Sequence, residues 1–370
     1  MERAKSQEPG AAVRLSTDQM RFREYIRTVG RGEKRAKALS LEDAHDAMGM
    51  ILDGRADLEQ AAAFLLSLRI RGEDPAEIAG FVFAMADRCV AFPDLPDMAH
   101  SVSVGHPYDG REDTFIAGAG AAIVAAAAGA CVVLHGAPRV PAKHAPTVAE
   151  VLQLLGAPVY LAPNRAGACL AQHGFVHADT RAFLPPWEAQ LELREKIGLR
   201  LPYSTVEKLL DPARTGNLIT GIAHGPYLAK IAGGMRRFNV RQGLIVQGLE
   251  GSCDLSPQHP TRIADVWPDA NPDSPAREVA IDPAQLGLSP ALNVREIGAD
   301  PQRAADLTRR AFENKADDES RGASESIALN AGLLLWRAGI TPDLAQGFER
   351  ARETIRSGAA AQTLRSAAGE

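Results

Sequence analysis

No two of the four cysteines, Cys89, Cys131, Cys169 and Cys253, stand at CxxC spacing, and each lies among apolar or small residues. That spacing argues against a zinc site or a disulfide framework and leaves free thiols in a reducing compartment. The chain also lacks any apolar run of the length a membrane helix needs. Its most apolar stretch, AGAGAAIVAAAAGACVVL, is dominated by alanine and glycine and reads as a buried helix followed by a strand. The N-terminal MERAKSQEPGAAVRLSTDQ has no apolar core of the secretory kind, so the expected location is the cytoplasm, with no membrane contact. A general positive charge is missing too: 41 Lys and Arg against 46 Asp and Glu leave a formal net charge of -5. Any contact with nucleic acid must therefore be local. There is no internal repeat.

What is present is 370 residues, 45% of them hydrophobic, enough for one large core or two moderate ones. Residues 1–16 are polar, contain Gly and Pro, and are expected to form a disordered leader. Helix start signals follow. Ser40 with Asp43 opens a helix carrying Leu41, Ala44, Met48, Ile51 and Leu52 on one face. Asp57 precedes LEQAAAFLLSLRI, and Asp74 with Pro75 at the first helical position opens PAEIAGFVFAMADRCV. These predict a small all-helical N-terminal lobe over 17–97. From about Met98 the pattern alternates between strand and helix: SVSVG, the Ala/Gly helix, CVVLHG, and later QGLIVQG and REVAI. That alternation predicts a larger α/β lobe over 98–184 and 211–370, with a mostly parallel central sheet between helices. The intervening segment has helical spacing, and its 185–210 part is expected to rejoin the helical lobe.

Between SVSVG and the Ala/Gly helix stands VGHPYDGREDTF, where an α/β enzyme often wraps backbone amides around a phosphate. Such a loop needs glycine, because a Cβ keeps the anion away. Here Pro107 and Tyr108 occupy its tightest part.

From DTFIAGAGAAIVAAAAGACVVLHG onward the sequence resembles the anthranilate phosphoribosyltransferase family, glycosyltransferase family 3. The likeness runs from about Arg23 to Arg365 through IRGEDPAEIAGFVFAMAD, LREKIGLR, QGLEGSCD, LNAGLLLWRAG and ARETIRSGAA. The resemblance implies a helical lobe hinged to an α/β lobe, an active site in the cleft, and a homodimer formed through the helical lobe. It also implies transfer from phosphoribosyl pyrophosphate to an aromatic amine, with Mg²⁺ as cofactor. Family members hold the donor on a GTGGDG loop, and the matching positions here are Gly105, His106, Pro107, Tyr108, Asp109 and Gly110. Their Asn-Ile-Ser-Thr turn corresponds to Ile116, Ala117, Gly118 and Ala119, and their Lys-His-Gly-Asn turn to Leu134, His135, Gly136 and Ala137. The metal-binding Asp-Glu pair corresponds to Cys253 and Asp254, with Glu250 offset nearby. A soft thiol suits magnesium poorly.

The positions left to a degraded donor site are Gly105, Tyr108, Asp109, Gly110, His135 and Gly136, with Asp109 equally placed to cap the turn. Asp254 and Glu250 are weak metal candidates. No cofactor is expected, and Mg²⁺ enters only if Glu250, Asp254 and Asp109 form a rearranged site in an active transferase with another donor or acceptor. Arg194 aligns with the arginine facing the acceptor's carboxylate and Arg200 follows six residues on; a structural arginine is the plainer reading of each.

The same losses mark a divergent branch of the family, the YbiB-like proteins, regarded as nucleic-acid binding, and REYIRTVGRGEKRAKALS and HPYDG look much like it. Arg21, Arg23, Arg27, Arg31, Lys34, Arg35 and Lys37 face only Glu24 and Glu33 over that stretch, a cluster able to neutralise several backbone phosphates. Phe22 and Tyr25 are placed either to stack on a base or to join the core. Lys230, Arg236, Arg237 and Arg241 make a second basic segment. The leading expectation is phosphate or nucleic-acid binding on a transferase fold, the rival an active transferase, and the third a scaffold whose dimer surface is its function.

Overall fold

Ser16, expected to end a leader, instead starts the first helix. Its hydroxyl accepts from the Gln19 amide at 3.1 Å while the Gln19 side chain accepts from the Ser16 amide at 2.7 Å, a reciprocal cap. The computed structural model describes residues 14–32, 34–238, 240–269, 271–288 and 293–369, so the first thirteen residues of that leader lie outside it. Helix α1 (Thr17–Val29) buries Phe22, Tyr25 and Val29. Helix α2 (Leu41–Leu52) is capped by Ser40, which accepts from the Asp43 amide at 3.0 Å, and α3 (Leu58–Arg71) and α4 (Pro75–Ala86) complete the bundle. Asp74 caps α4 as expected, with Glu77 returning the bond to the Asp74 amide at 2.8 Å. Asp57 does not cap α3; its carboxylate accepts from Gln19 of α1 at 2.6 Å. Phe64 meets Phe22 and Phe81 edge-on, with ring centres 5.4 and 6.3 Å apart.

The sheet has seven strands: β1 (Ser101–Gly105), β2 (Cys131–Gly136), β3 (Phe175–Asp179), β4 (Asn217–Gly221), β5 (Gln242–Val246), β6 (Thr261–Val266) and β7 (Arg277–Ile281). Their order is β3-β2-β1-β4-β5-β6-β7; the first five run parallel, β6 runs antiparallel to β5, and β7 antiparallel to β6. Alternate residues serve opposite faces. Val132 and Leu134 join the core under helix α5 (Gly118–Ala127) and the C-terminal helices, whereas Val133, Val176, Leu218 and Ile245 share a core with Phe22, Phe64, Trp187 and Tyr203 of the helical side. The Ala/Gly composition of α5 has a packing cause: a Cβ on Gly120 would sit 2.9 Å from Ile327 of the Asp318–Arg337 helix. The Trp187–Ile197 helix packs on α3 and the Tyr203–Val206 turn on α4.

One topological fact positions the site. Strand β1 has β2 on one side and β4 on the other, so the chain leaves it in one direction and later returns on the opposite side. In open α/β sheets the crevice beyond the carboxyl ends of the strands at such a switch point is where ligands bind. Among the described residues no helix is long and apolar enough to cross a membrane.

Candidate functional site

A cleft of about 270 Å³ opens at that switch point. Arg69 and Glu73 line it from the α3–α4 junction, Pro107, Tyr108 and Asp109 from the loop after β1, Arg200, Ser204 and Lys208 from the connection leading to β4, and His224 and Glu250 from the ends of β4 and β5. Gly105 ends β1, and a Cβ on it would lie 1.9 Å from the Lys208 carbonyl oxygen. Gly110 has φ +79° and faces the Ala145 carbonyl oxygen, which a Cβ would meet at 2.1 Å. Both glycines are therefore required by close packing within the chain itself.

Tyr108 fills the turn between them. It is buried against Ala137 and Val140, its ring edge-on to His135 with centres 5.7 Å apart. Its hydroxyl donates to His135 Nδ1 and accepts from Thr180 Oγ1 at 2.9 Å. His135 Nε2 in turn donates to the Leu210 carbonyl at 3.0 Å, which fixes the tautomer. Burial pushes the Tyr108 hydroxyl well above its ordinary range and draws His135 down to about 4. His106 and His177 are drawn down to about 4 and about 3 by the same cause, and each keeps a buried Nδ1 without a partner. Gly136 is packed under His177, whose Nε2 would lie 3.3 Å from an added Cβ.

The carboxylates are engaged by donors of this chain. Asp109, considered as a turn cap, pairs with Arg200 Nε at 2.7 Å. Asp254 takes Arg111 Nη2 at 2.7 Å and the Gly118 amide at 3.2 Å, and both members of that ion pair are buried. Glu250 holds φ 51° and accepts from the Glu112 and Asp113 amides at 2.8 and 3.0 Å, from Thr114 Oγ1 at 2.7 Å and from Lys143 Nζ at 3.4 Å. Burial pushes the Glu250 carboxyl up, but those donors outweigh it and hold it below its ordinary value. The Cys253 thiol donates to the Gly105 carbonyl at 3.4 Å, and burial pushes it far above the usual thiol range. Among the described residues no three His, Cys, Asp or Glu side chains are arranged to hold a metal ion.

Of the two roles open to Arg194, its geometry is that of a structural arginine. It is fully buried and pairs with Glu207 at 2.5 Å, its other nitrogen donating to the Pro141 carbonyl at 3.0 Å and Ser204 Oγ at 3.2 Å. What it faces is a carboxylate of this chain, not the cleft. Arg200 does line the cleft, held by Asp109. Burial pushes the Glu207 carboxyl up to about 7 against the opposing pull of Arg194. Arg111, Glu207 and Lys208 were not singled out from sequence; lone charges in a helical or loop context carry no spacing signal.

On the helical domain Arg23, Arg27, Arg31, Lys34, Arg35 and Lys37 are all exposed. Arg27 pairs with Glu24 at 2.6 Å, while no ion pair among the described residues engages the other five. Phe22 and Tyr25 belong to the core rather than to a stacking surface, and the Tyr25 hydroxyl donates to Asp46 at 2.8 Å. Arg237 is tied to Asp273 at 2.6 Å, Arg236 to the Pro275 carbonyl at 3.2 Å and Arg241 to Asn217 at 3.3 Å. Lys230 lies over the Tyr227 ring at 5.3 Å, beside Gly72. Gly30 sits against Ser67 of α3, so the basic loop adjoins the helix whose last turn brings Arg69 to the cleft.

A helical bundle beside an open α/β sheet, with a polar cleft at the switch point, defines a two-domain α/β protein with its ligand site at the carboxyl ends of the strands. The helical bundle domain of a glycosyl transferase family matches residues 23–89, and the a/b domain of that family matches 109–361. The chain is 31% identical over 324 residues to the anthranilate phosphoribosyltransferase of Brevibacillus brevis, covering 87% of this chain and 91% of that one. It is 31% identical over 333 residues to the enzyme of the same name from Geobacillus kaustophilus, covering 89% and 93%. The crystal structure of anthranilate phosphoribosyltransferase from Thermus thermophilus superposes with a TM-score of 0.76 at 26% identity, covering 94% of this chain and 98% of that one. The chain belongs to the anthranilate phosphoribosyltransferase-like glycosyl transferase family.

Proposed function

We propose that this member of the family is a cytoplasmic binding protein for phosphate-bearing ligands, with single- or double-stranded nucleic acid as partner, and that it does not transfer phosphoribosyl from a magnesium-bound diphosphate. The observation that carries the reading is Tyr108, buried at the tightest part of the loop after β1 and tied to His135 and Thr180. A diphosphate seated there needs bare backbone amides, and Pro107 supplies none. Magnesium fits no better. It requires several oxygen ligands, whereas Asp254 is neutralised by Arg111, Glu250 is spent on amides and Lys143, and Cys253 is a protonated thiol. No step through the ion follows.

Nucleic-acid binding is supported by five exposed cations, at 23, 31, 34, 35 and 37, that no ion pair among the described residues engages. Phosphate contacts release condensed counterions, at about 0.7 in log affinity per log salt for each contact on a single strand. Five contacts give a slope of about −3.5, or roughly a hundredfold loss between 50 and 200 mM salt. Self-association through the helical domain, where Ile51, Leu52, Leu58, Pro186 and Leu191 line a groove of about 650 Å³, completes the proposal and is read by sedimentation.

Fluorescence anisotropy of a labelled oligothymidylate against salt tests the binding half. Tight binding at 50 mM that collapses by 200 mM is expected; no binding, or binding indifferent to salt, contradicts it. The names of the relatives favour a second reading, an active transferase, which requires turnover of anthranilate and phosphoribosyl pyrophosphate with Mg²⁺.

A further inference from the structure

One buried cation at the switch point has no counterion among the described residues. Lys208 belongs to the short turn Glu207–Leu209, which crosses the carboxyl ends of β1 and β4: its carbonyl is packed on Gly105, and its Nζ donates to the Gly221 carbonyl at 2.5 Å. The residue is 9% exposed and lines the cleft, and that carbonyl is its one hydrogen-bond partner among the described residues. The carboxylates around it are committed elsewhere. Asp109 is paired with Arg200, Glu207 with Arg194 and Glu250 with Lys143, and Glu73 accepts the Tyr227 hydroxyl at 3.0 Å. Among the described residues none lies within ion-pair distance of Lys208. Buried charges are ordinarily paired, because desolvating one alone costs several kcal/mol. Burial accordingly draws the Lys208 ammonium below its ordinary range. The cleft adds Arg200, Arg69 and the hydroxyls of Ser204 and Thr205 around it.

We propose that Lys208, with Arg200 beside it, forms a binding site for a phosphate monoester in the cleft, taken up without a divalent cation. An ammonium wanting a compact oxyanion, a guanidinium and two hydroxyl donors lining the same cleft match the charge and donor types a single phosphoryl group calls for. The site rests on the reading of the cleft as phosphate-binding, but it is distinct from the exposed cations of the helical domain. The phosphoryl group belongs either to a free phosphate or to the 5′ end of a nucleic-acid strand.

Isothermal titration of the full chain with inorganic phosphate in EDTA is the primary test. Binding is expected, unchanged by added Mg²⁺, weakened about tenfold or more in Lys208→Met and largely retained in Lys208→Arg. Competition with oligonucleotides separates the sources: a preference for 5′-phosphorylated over 5′-hydroxyl strands that vanishes in Lys208→Met assigns the strand end, and equal affinity for both strands assigns free phosphate. Wild-type protein that ignores phosphate, or Lys208→Met that binds it as well as wild type, overturns the inference. Should Lys208→Met not fold, wild-type crystals soaked in phosphate decide, with the ion at Lys208 Nζ or elsewhere. Protein that ignores phosphate yet binds oligonucleotide in a salt-dependent way ends this inference and leaves the nucleic-acid half of the proposed function standing; phosphate binding without oligonucleotide binding supports this inference and removes nucleic acid as the partner.

Discussion

Replacing Arg111 with Met should cost about 3–5 kcal/mol of stability, the range for removing one partner of a buried ion pair. Arg111 and Asp254 are 3% and 2% exposed and meet at 2.7 Å. Without the guanidinium, Asp254 retains the Gly118 amide at 3.2 Å but no cation. Asp254→Leu strands the charge from the other side, since Arg111 then keeps only Ser252 Oγ at 3.3 Å. The double variant removes both charges and should fall within about 1 kcal/mol of wild type or exceed it, giving a coupling of several kcal/mol. With an unfolding entropy of about 2 cal/mol/K per residue over 109–361, each single variant lowers Tm by roughly 6–9 °C where that segment unfolds as a unit. Urea unfolding at pH 7 reads all four proteins. A single-variant cost below about 1 kcal/mol, or a double variant as unstable as the sum of the singles, refutes the pairing and frees Asp254 for another role.

The remaining expectations concern the tyrosine, the histidines and the basic loop. Tyr108→Phe leaves His135 Nδ1 without its donor and the Thr180 hydroxyl without its acceptor, and should cost about 1–3 kcal/mol by thermal unfolding. His106, His135 and His177 are held by burial at about 4, 4 and 3, while the unfolded chain titrates near 6.5. Between those values the unfolded state binds more protons, so stability falls as pH drops from about 6.5 toward 4, by up to about 1.4 kcal/mol per unit for each histidine. Urea midpoints at pH 7 and 5 should show this, and His177→Phe should flatten the slope; equal slopes would remove His177 from the account. Glutamate in place of Arg31, Lys34 and Arg35 should weaken oligonucleotide binding and lower the salt slope by about 2, with Tm unchanged because these side chains are exposed.

The helical domain could be read in advance because its signals are local. Ser40, Asp74 and Pro75 mark helix starts within three residues of the groups they satisfy. Strands β3, β4 and β6, in FVHAD, NLITG and TRIADV, escaped because short strands with both faces covered show no alternation of apolar and polar residues. At the site, the turn after β1 was visible because Gly105 and Gly110 bracket a loop between a strand and a helix. What Asp254 faces was not, since its partner Arg111 is 143 residues away in sequence and no spacing rule joins them. The direction of Arg194 was hidden for the same reason: helical spacing does not say that Glu207 folds back onto it. Phe22 and Tyr25 show the converse, their helical spacing marking core and not a stacking face.

The central claim is that side chains of this protein occupy the places a magnesium-bound diphosphate would take. Titration calorimetry of phosphoribosyl pyrophosphate, with Mg²⁺ and with EDTA, tests it most directly. At most weak binding of the phosphate group, identical in the two buffers, is expected. Tight binding that appears only with Mg²⁺ would contradict it.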